Sequence, residues 1–285
     1  MLNKVIEYTF GGYFISVGKV TGTNPQNKDG RDTNVLFTSF KDNCEIIQKI
    51  HYGLPTEVDA DGTTMFNTEI GTSISTNKEI HFITGSVTRC SFSSDSCVYK
   101  DVLYIRIKRS NGNLVSAHHY DIQQMSDSGM AIRFRGKTKS VLIAGETKST
   151  GILPPAAAGS TSQDIFLLEL KPNGNPKKIE LFGTSKTDEF HVDLTLSHNK
   201  KTAVMLSNTP LSPICHDATG PWLIERFDNI QNQCRDAPYD VIVKQYDPKQ
   251  LDVEEIELDV PWEKAELLAQ NVEMDQWTMC AKLQL

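Results

Sequence analysis

The chain has no run of about 18 apolar residues, so none of its 285 residues reads as a membrane-spanning helix. It also lacks the short signatures of common enzymes: no Gly-x-Ser-x-Gly elbow, no Walker A loop and no His-Glu-x-x-His. The stretch GETKSTG has the outline of a phosphate loop without its Gly-Lys-Ser/Thr ending. Positive charge is in deficit. Lys and Arg number 29 against 36 Asp and Glu, a formal net charge of -7. That excludes the cationic footprint a nucleic-acid binder needs to displace counterions. Zinc is disfavoured too, because no Cys-x2-Cys or Cys-x2-His spacing occurs. The opening MLNKVIEYTFGG lacks the apolar core of a signal peptide. It reads either as a cytosolic start or as that of a mature form or piece of a longer chain.

What the sequence does contain is a repeat, and a repeat decides the fold before anything else. DVLYIRIKRSNGN begins at Asp101 and DIFLLELKPNGN begins at Asp164, 63 residues later. Apolar Leu103, Ile105 and Ile107 recur at alternate positions, as do Phe166, Leu168 and Leu170, which is the period of a strand. Each run ends in Asn-Gly, the turn chemistry of a hairpin. Asn34 and Asp240 open two further, more degenerate copies. Upstream of each copy an apolar run meets a small residue: Gly18, Gly85, Gly145 and Ser207. A further strand-like segment precedes each of the last three of these. Strands are predicted near 13–18, 34–41, 79–86, 101–108, 140–146, 164–171, 202–207 and 240–246.

Four antiparallel strands per repeat cannot bury both faces of their own sheet, so like units should stack. The expectation is an all-β chain forming a single β-propeller domain over 1–285. Its repeats would fall near 3–53, 54–121, 122–183 and 184–260, with 261–285 as a partial fifth blade or a closing segment. In that tail PWEKAELLAQN reads as a blade strand or as a short helix opened by Pro261. The acidic DVEEIELD suits an outermost strand, where charge guards an exposed edge.

The order apolar run–Gly, loop, Asp-apolar-x-apolar, Asn-Gly, aromatic-Gly resembles the SBBP-type β-propeller repeats of bacterial secreted and surface proteins. The likeness covers about residues 10 to 260, with Ser207 replacing the glycine and no Asn-Gly turn in the fourth copy. It implies a scaffold rather than a particular chemistry.

Six cysteines are present. Cys90 with Cys97, and Cys215 with Cys234, bracket polar loops, while Cys44 and Cys280 lie near the two ends. Two local pairs suit disulfides in an oxidising compartment, hence a secreted, periplasmic or surface protein. Six reduced thiols in a cytoplasmic protein are the alternative.

The segments after each glycine strand are long, at 19–33, 86–100, 146–163 and 208–239, and should gather on one face as a binding surface. In the fourth, Trp222, Arg226, His216 and Asp217 combine an aromatic platform, a fork donor and polar ends. That set suits a glycan or a protein partner; a small satellite core is the plainer reading. Glu57, Asp59 and Asp61, followed by Gly62, resemble the front of a calcium loop. Thr68 stands where a bidentate Glu is expected, and an ordinary tight turn explains the same residues. Arg133, Arg135, Lys137 and Lys139 could form a cationic ladder or a solvated hairpin end. His118 and His119 are adjacent and should point to opposite sides of a strand. The expected function is a non-catalytic binding or assembly module. The alternative is a hydrolase or lyase whose site is built from several loops.

Overall fold

The computed structural model describes residues 2–8, 13–21, 33–43, 45–53, 57–58, 64–91, 97–122, 126–136, 138–148, 163–183, 190–196, 203–208, 221–226, 230–232, 242–246, 254–257 and 263–266. These residues are all-β: they form twenty strands and no helix.

The strands group into four antiparallel meanders, one after another along the chain. The first comprises β1 (Leu2–Tyr8), β2 (Tyr13–Thr21), β3 (Thr33–Lys41) and β4 (Ile46–Gly53). A two-residue strand, β5 (Glu57–Val58), leads into the second: β6 (Thr64–Thr76), β7 (Ile80–Ser91), β8 (Cys97–Lys108) and β9 (Leu114–Asp121). The third is β10 (Asp127–Arg135), β11 (Ser140–Thr147), β12 (Asp164–Leu170) and β13 (Pro176–Gly183). The fourth is β14 (Phe190–Leu196), β15 (Ala203–Asn208), β16 (Pro221–Arg226) and β17 (Ile230–Asn232). A single parallel bridge, Thr33 to Thr68, joins the first meander to the second.

The hairpins follow from local chemistry. Gly112 and Gly174 sit at φ 65° and 109°, in the left-handed region that the Asn-Gly turns require. Asn111 and Asn173 each accept the N–H two residues on, at 3.0 and 3.3 Å.

Stacking explains why the middle strands are apolar on both parities. Ile15, Val17, Val35 and Phe37 of the first meander form one core with Leu103, Ile105 and Ile107 of β8. The alternate β8 residues, Val102 and Tyr104, enter a second core with Ile143, Phe166 and Leu168 of the third meander. Ile165 and Leu167 then face Val192, Leu194 and Met205 of the fourth. The alternation predicted for 101–108 and 164–171 is therefore real, but it divides side chains between two cores rather than between core and solvent. The stack is an open series. Among the described residues the first and fourth sheets share no core.

The first two seams are built on glycine: a side chain on Gly71 would meet Val17 and Val35 of the first meander, and one on Gly129 would meet Thr84 and Val102 of the second. Within their own sheets Gly71 faces Gly85, and Gly129 faces Gly145, beside bulges at Gly71–Ser73 and Gly129–Ala131. A side chain on Gly85 would run into the Ile70 carbonyl oxygen, and one on Gly145 into that of Ser128.

One expectation is corrected, and the choice left open in the tail, strand or helix, is decided for the strand. The segment around 240–246 is not the neighbour of β15. It forms β18 (Ile242–Tyr246) on the edge of β13, while β16 takes the place beside β15. Pro221–Arg226 is nearer in sequence and apolar enough to pair first, and consecutive strands usually pair. In the tail, the stretch read as a possible helix supplies β20 (Glu263–Glu266), paired with β4. The acidic segment is the edge strand it was expected to be: β19 (Glu254–Glu257) borders β9.

Candidate functional site

The direction of the strands decides which connections share an end. β6 and β10 lie side by side and run the same way: the Ile132 and Phe134 N–H groups donate to the Ser73 and Ser75 hydroxyls at 3.3 and 3.0 Å. The Thr72 hydroxyl donates to the Gly129 carbonyl at 2.5 Å. The bridge of β3 to β6 is also parallel. Thus the β2–β3, β7–β8 and β11–β12 connections lie at one end of the stack, and the Asn-Gly turns at the other.

At the connection end Cys90 and Cys97 form a disulfide, with sulfurs 2.08 Å apart, across the ends of β7 and β8. Below it the first two repeats each place a polar pair between their third and fourth strands. Asn34 Nδ2 lies 3.0 Å from His51 Nδ1, and His119 Nδ1 lies 2.7 Å from Asp101 Oδ2. In the third repeat Asp164 is fully buried. Asp127, 1% exposed, accepts the Ile122 N–H at 2.7 Å. Burial pushes its carboxyl up to about 8; hydrogen bonds from Thr147 and Ile122 oppose this, and the charges of Asp121 and Asp101 add to it.

The adjacent histidines separate as a strand demands. His119 meets Asp101, whereas His118 is buried against Tyr104 and Tyr120, with ring centroids 6.0 and 6.4 Å away. The arginines of the cationic ladder meet carboxylates of their own chain. Arg133 lies 3.7 Å from Asp193, and Arg135 lies 3.9 Å from Glu169. Lys177 also reaches Glu169, at 3.0 Å. Lys139 falls in the turn at φ 48°; Lys137 lies outside the described residues.

Of the expected contact group, Trp222 and Arg226 belong to strand β16, opposite Ser207 and Ala203, rather than to a long loop. His216 and Asp217 lie outside the described residues, as do Cys44, Cys215, Cys234 and Cys280. Glu57 pairs with Met65 and Val58 with Thr64, so 59–63 connects a hairpin. Asp59 and Asp61 are outside the described residues, and Thr68 sits in strand β6 opposite Thr88. Among the described residues no three His, Cys, Asp or Glu side chains are grouped to hold a metal, and no helix is long and apolar enough to cross a membrane.

The other end carries a feature the sequence did not disclose. A cleft of about 610 Å³ opens between the first and second meanders. Tyr13, Ile15 and Gln48 line one wall, and His81, Lys108 and Arg109 the other. His81 is 4% exposed, lies against Phe37 with ring centroids 5.4 Å apart, and is pushed down to about 4 by burial. Arg109 is anchored by its Nη1, which donates to the Lys78 carbonyl at 3.3 Å. The nearest sequence clue was the run Lys108-Arg109 beside the Asn-Gly turn, a position where the third repeat has Lys171-Pro172.

No protein-family model and no curated protein matches the chain.

Proposed function

We propose that this protein is a non-catalytic binding or assembly module on a β-propeller-type scaffold, exported to the cell surface or beyond. In this reading a protein or glycan partner is taken by Trp222, Arg226, His216 and Asp217 as the contact group, Trp222 standing near the connection end of β16 and Arg226 at the other end of that strand. The observation that carries it is the common direction of β6 and β10, which gathers successive connections at one end of a buried, rigid stack. A four-stranded antiparallel meander is the unit a propeller repeats, and four of them follow one another along this chain. The Cys90–Cys97 bond supports an oxidising compartment.

A glycan array probed with the wild-type chain and with Trp222→Ala and Arg226→Ala tests the site. Truncating an anchor of this kind typically costs about 2 kcal/mol or more of binding. Both variants should lose bound glycans while retaining the wild-type melting temperature, and Asn173→Ala, at the opposite end, should lose none. Undiminished binding by both variants would discard the contact group. The calcium-loop candidate of Glu57, Asp59 and Asp61 would then be examined by thermal shift with added calcium. Cleavage of a bound glycan would establish the hydrolase or lyase alternative.

A further inference from the structure

The cleft between the first two sheets is unlike the rest of the molecule in charge. Its lining includes three cations, Lys78, Lys108 and Arg109, and one carboxylate, Glu79. That is a local balance of +2 on a chain whose net charge is -7. A positive mouth on an acidic protein concentrates small anions there and repels little of its own surface.

Its walls are mixed rather than greasy. Ile15 and Ile80 present apolar surface, whereas Tyr13, Ser39, Gln48 and Ser110 present hydroxyl and amide groups. The volume, about 610 Å³, falls within the range of small-ligand sites, roughly 300–1,000 Å³.

Polar groups on the walls can serve the rest of a ligand. The Gln48 amide both donates and accepts, and so does the Ser110 hydroxyl. His81 also lines the cleft, but its Nδ1 is closed off from solvent and out of a ligand's reach.

A ligand that matches all three features carries one negative group, several hydroxyls and an apolar face. We propose that the cleft binds a carboxylate-bearing sugar. Its anionic group lies among Lys78, Lys108 and Arg109, and its hydroxyls reach Gln48 and Ser110. The site is separate from the connection end and does not depend on the reading given to it.

Isothermal titration of the full chain with D-glucuronate, D-glucose and sodium sulfate, at one ionic strength and pH 7, tests the proposal. Glucuronate should bind saturably, and glucose and sulfate should each bind at least about tenfold more weakly, since each supplies only half of the match. Replacing two exposed cations together, Lys78→Ala with Lys108→Ala, should weaken glucuronate about tenfold and leave the melting temperature unchanged. Glucuronate binding no tighter than glucose would overturn the proposal. So would sulfate binding as tightly as glucuronate, which would leave only a general anion site, or indifference to the double substitution. Trp222→Ala should not alter glucuronate binding, so failure at one end is distinguishable from failure at the other.

Discussion

The Tyr52 hydroxyl donates to the carbonyl oxygen of Gly112, 60 residues downstream, at 2.5 Å. Tyr120 does the same to Gly174 at 2.6 Å. In both cases the last strand of one repeat latches onto the Asn-Gly turn of the next, so the turn that closes a hairpin also registers two sheets. Burial pushes the Tyr52 hydroxyl well above its ordinary range, which keeps it a donor at any physiological pH. Tyr52→Phe should cost about 1 kcal/mol by urea denaturation, as should Tyr120→Phe. Because the two latches serve different sheet junctions, the double variant should lose close to the sum. A strongly sub-additive result would mean that the junctions open together.

Glycine substitutions should separate bulge from turn. At Gly85 an added methyl meets backbone of the paired strand, the Ile70 carbonyl, whereas at Gly136 the nearest atom is the edge of Phe134 at 4.0 Å. Gly85→Ala should therefore cost about 3 kcal/mol or more, or prevent folding, while Gly136→Ala should stay within about 0.5 kcal/mol of wild type. Equal melting temperatures for the two variants would contradict the close approach of β6 and β7 at the bulge.

The Cys90–Cys97 bond closes a short connection, with a sequence separation of 7. Replacing both cysteines by serine should lower stability by about 2 kcal/mol. Peptide mapping without reductant should recover the two residues in one cross-linked peptide; finding both alkylated would refute the pairing.

Two buried groups set opposing pH slopes. Between 3.8 and about 8 folded Asp127 retains a proton that the unfolded chain releases, so stability falls as pH rises, by up to about 1.4 kcal/mol per unit. His81, ordinarily 6.5 and about 4 when folded, is protonated in the unfolded chain first, so its contribution is lost as pH falls through that window. The slopes oppose each other from about 4 to 6.5 and leave Asp127 alone above that. The urea midpoint of the wild type should drop between pH 6.5 and 8, and Asp127→Asn should flatten the drop. An unchanged slope in the variant would show that Asp127 is ionised in the folded chain.

Much of the fold was legible because it is written in short-range chemistry repeated along the chain. Strand period, Asn-Gly turns and the small residue at Gly18, Gly85 and Gly145 located β2, β3, β7, β8, β11, β12 and β15 to within a few residues at most ends. The spacing of Cys90 and Cys97 suggested their pairing, with reduced thiols left as the alternative until the structure showed the bond. The degenerate fourth copy misled, since an Asp-led apolar run does not say which edge it joins, and β18 joined β13.

The sequence by itself determined local conformation: which residues extend, where they turn and where a side chain cannot fit. Only the tertiary structure decided which parity of Leu103 and Tyr104 faces which neighbouring sheet, and that Arg133 and Arg135 meet Asp193 and Glu169. It alone brought Tyr13, His81 and Lys108 around one cleft. The physical reason is range. Hydrogen-bonded turns and strand propensity act over a few residues, whereas a cleft between stacked sheets is lined by side chains far apart in the chain, such as Tyr13 and His81, for which no single segment carries a mark.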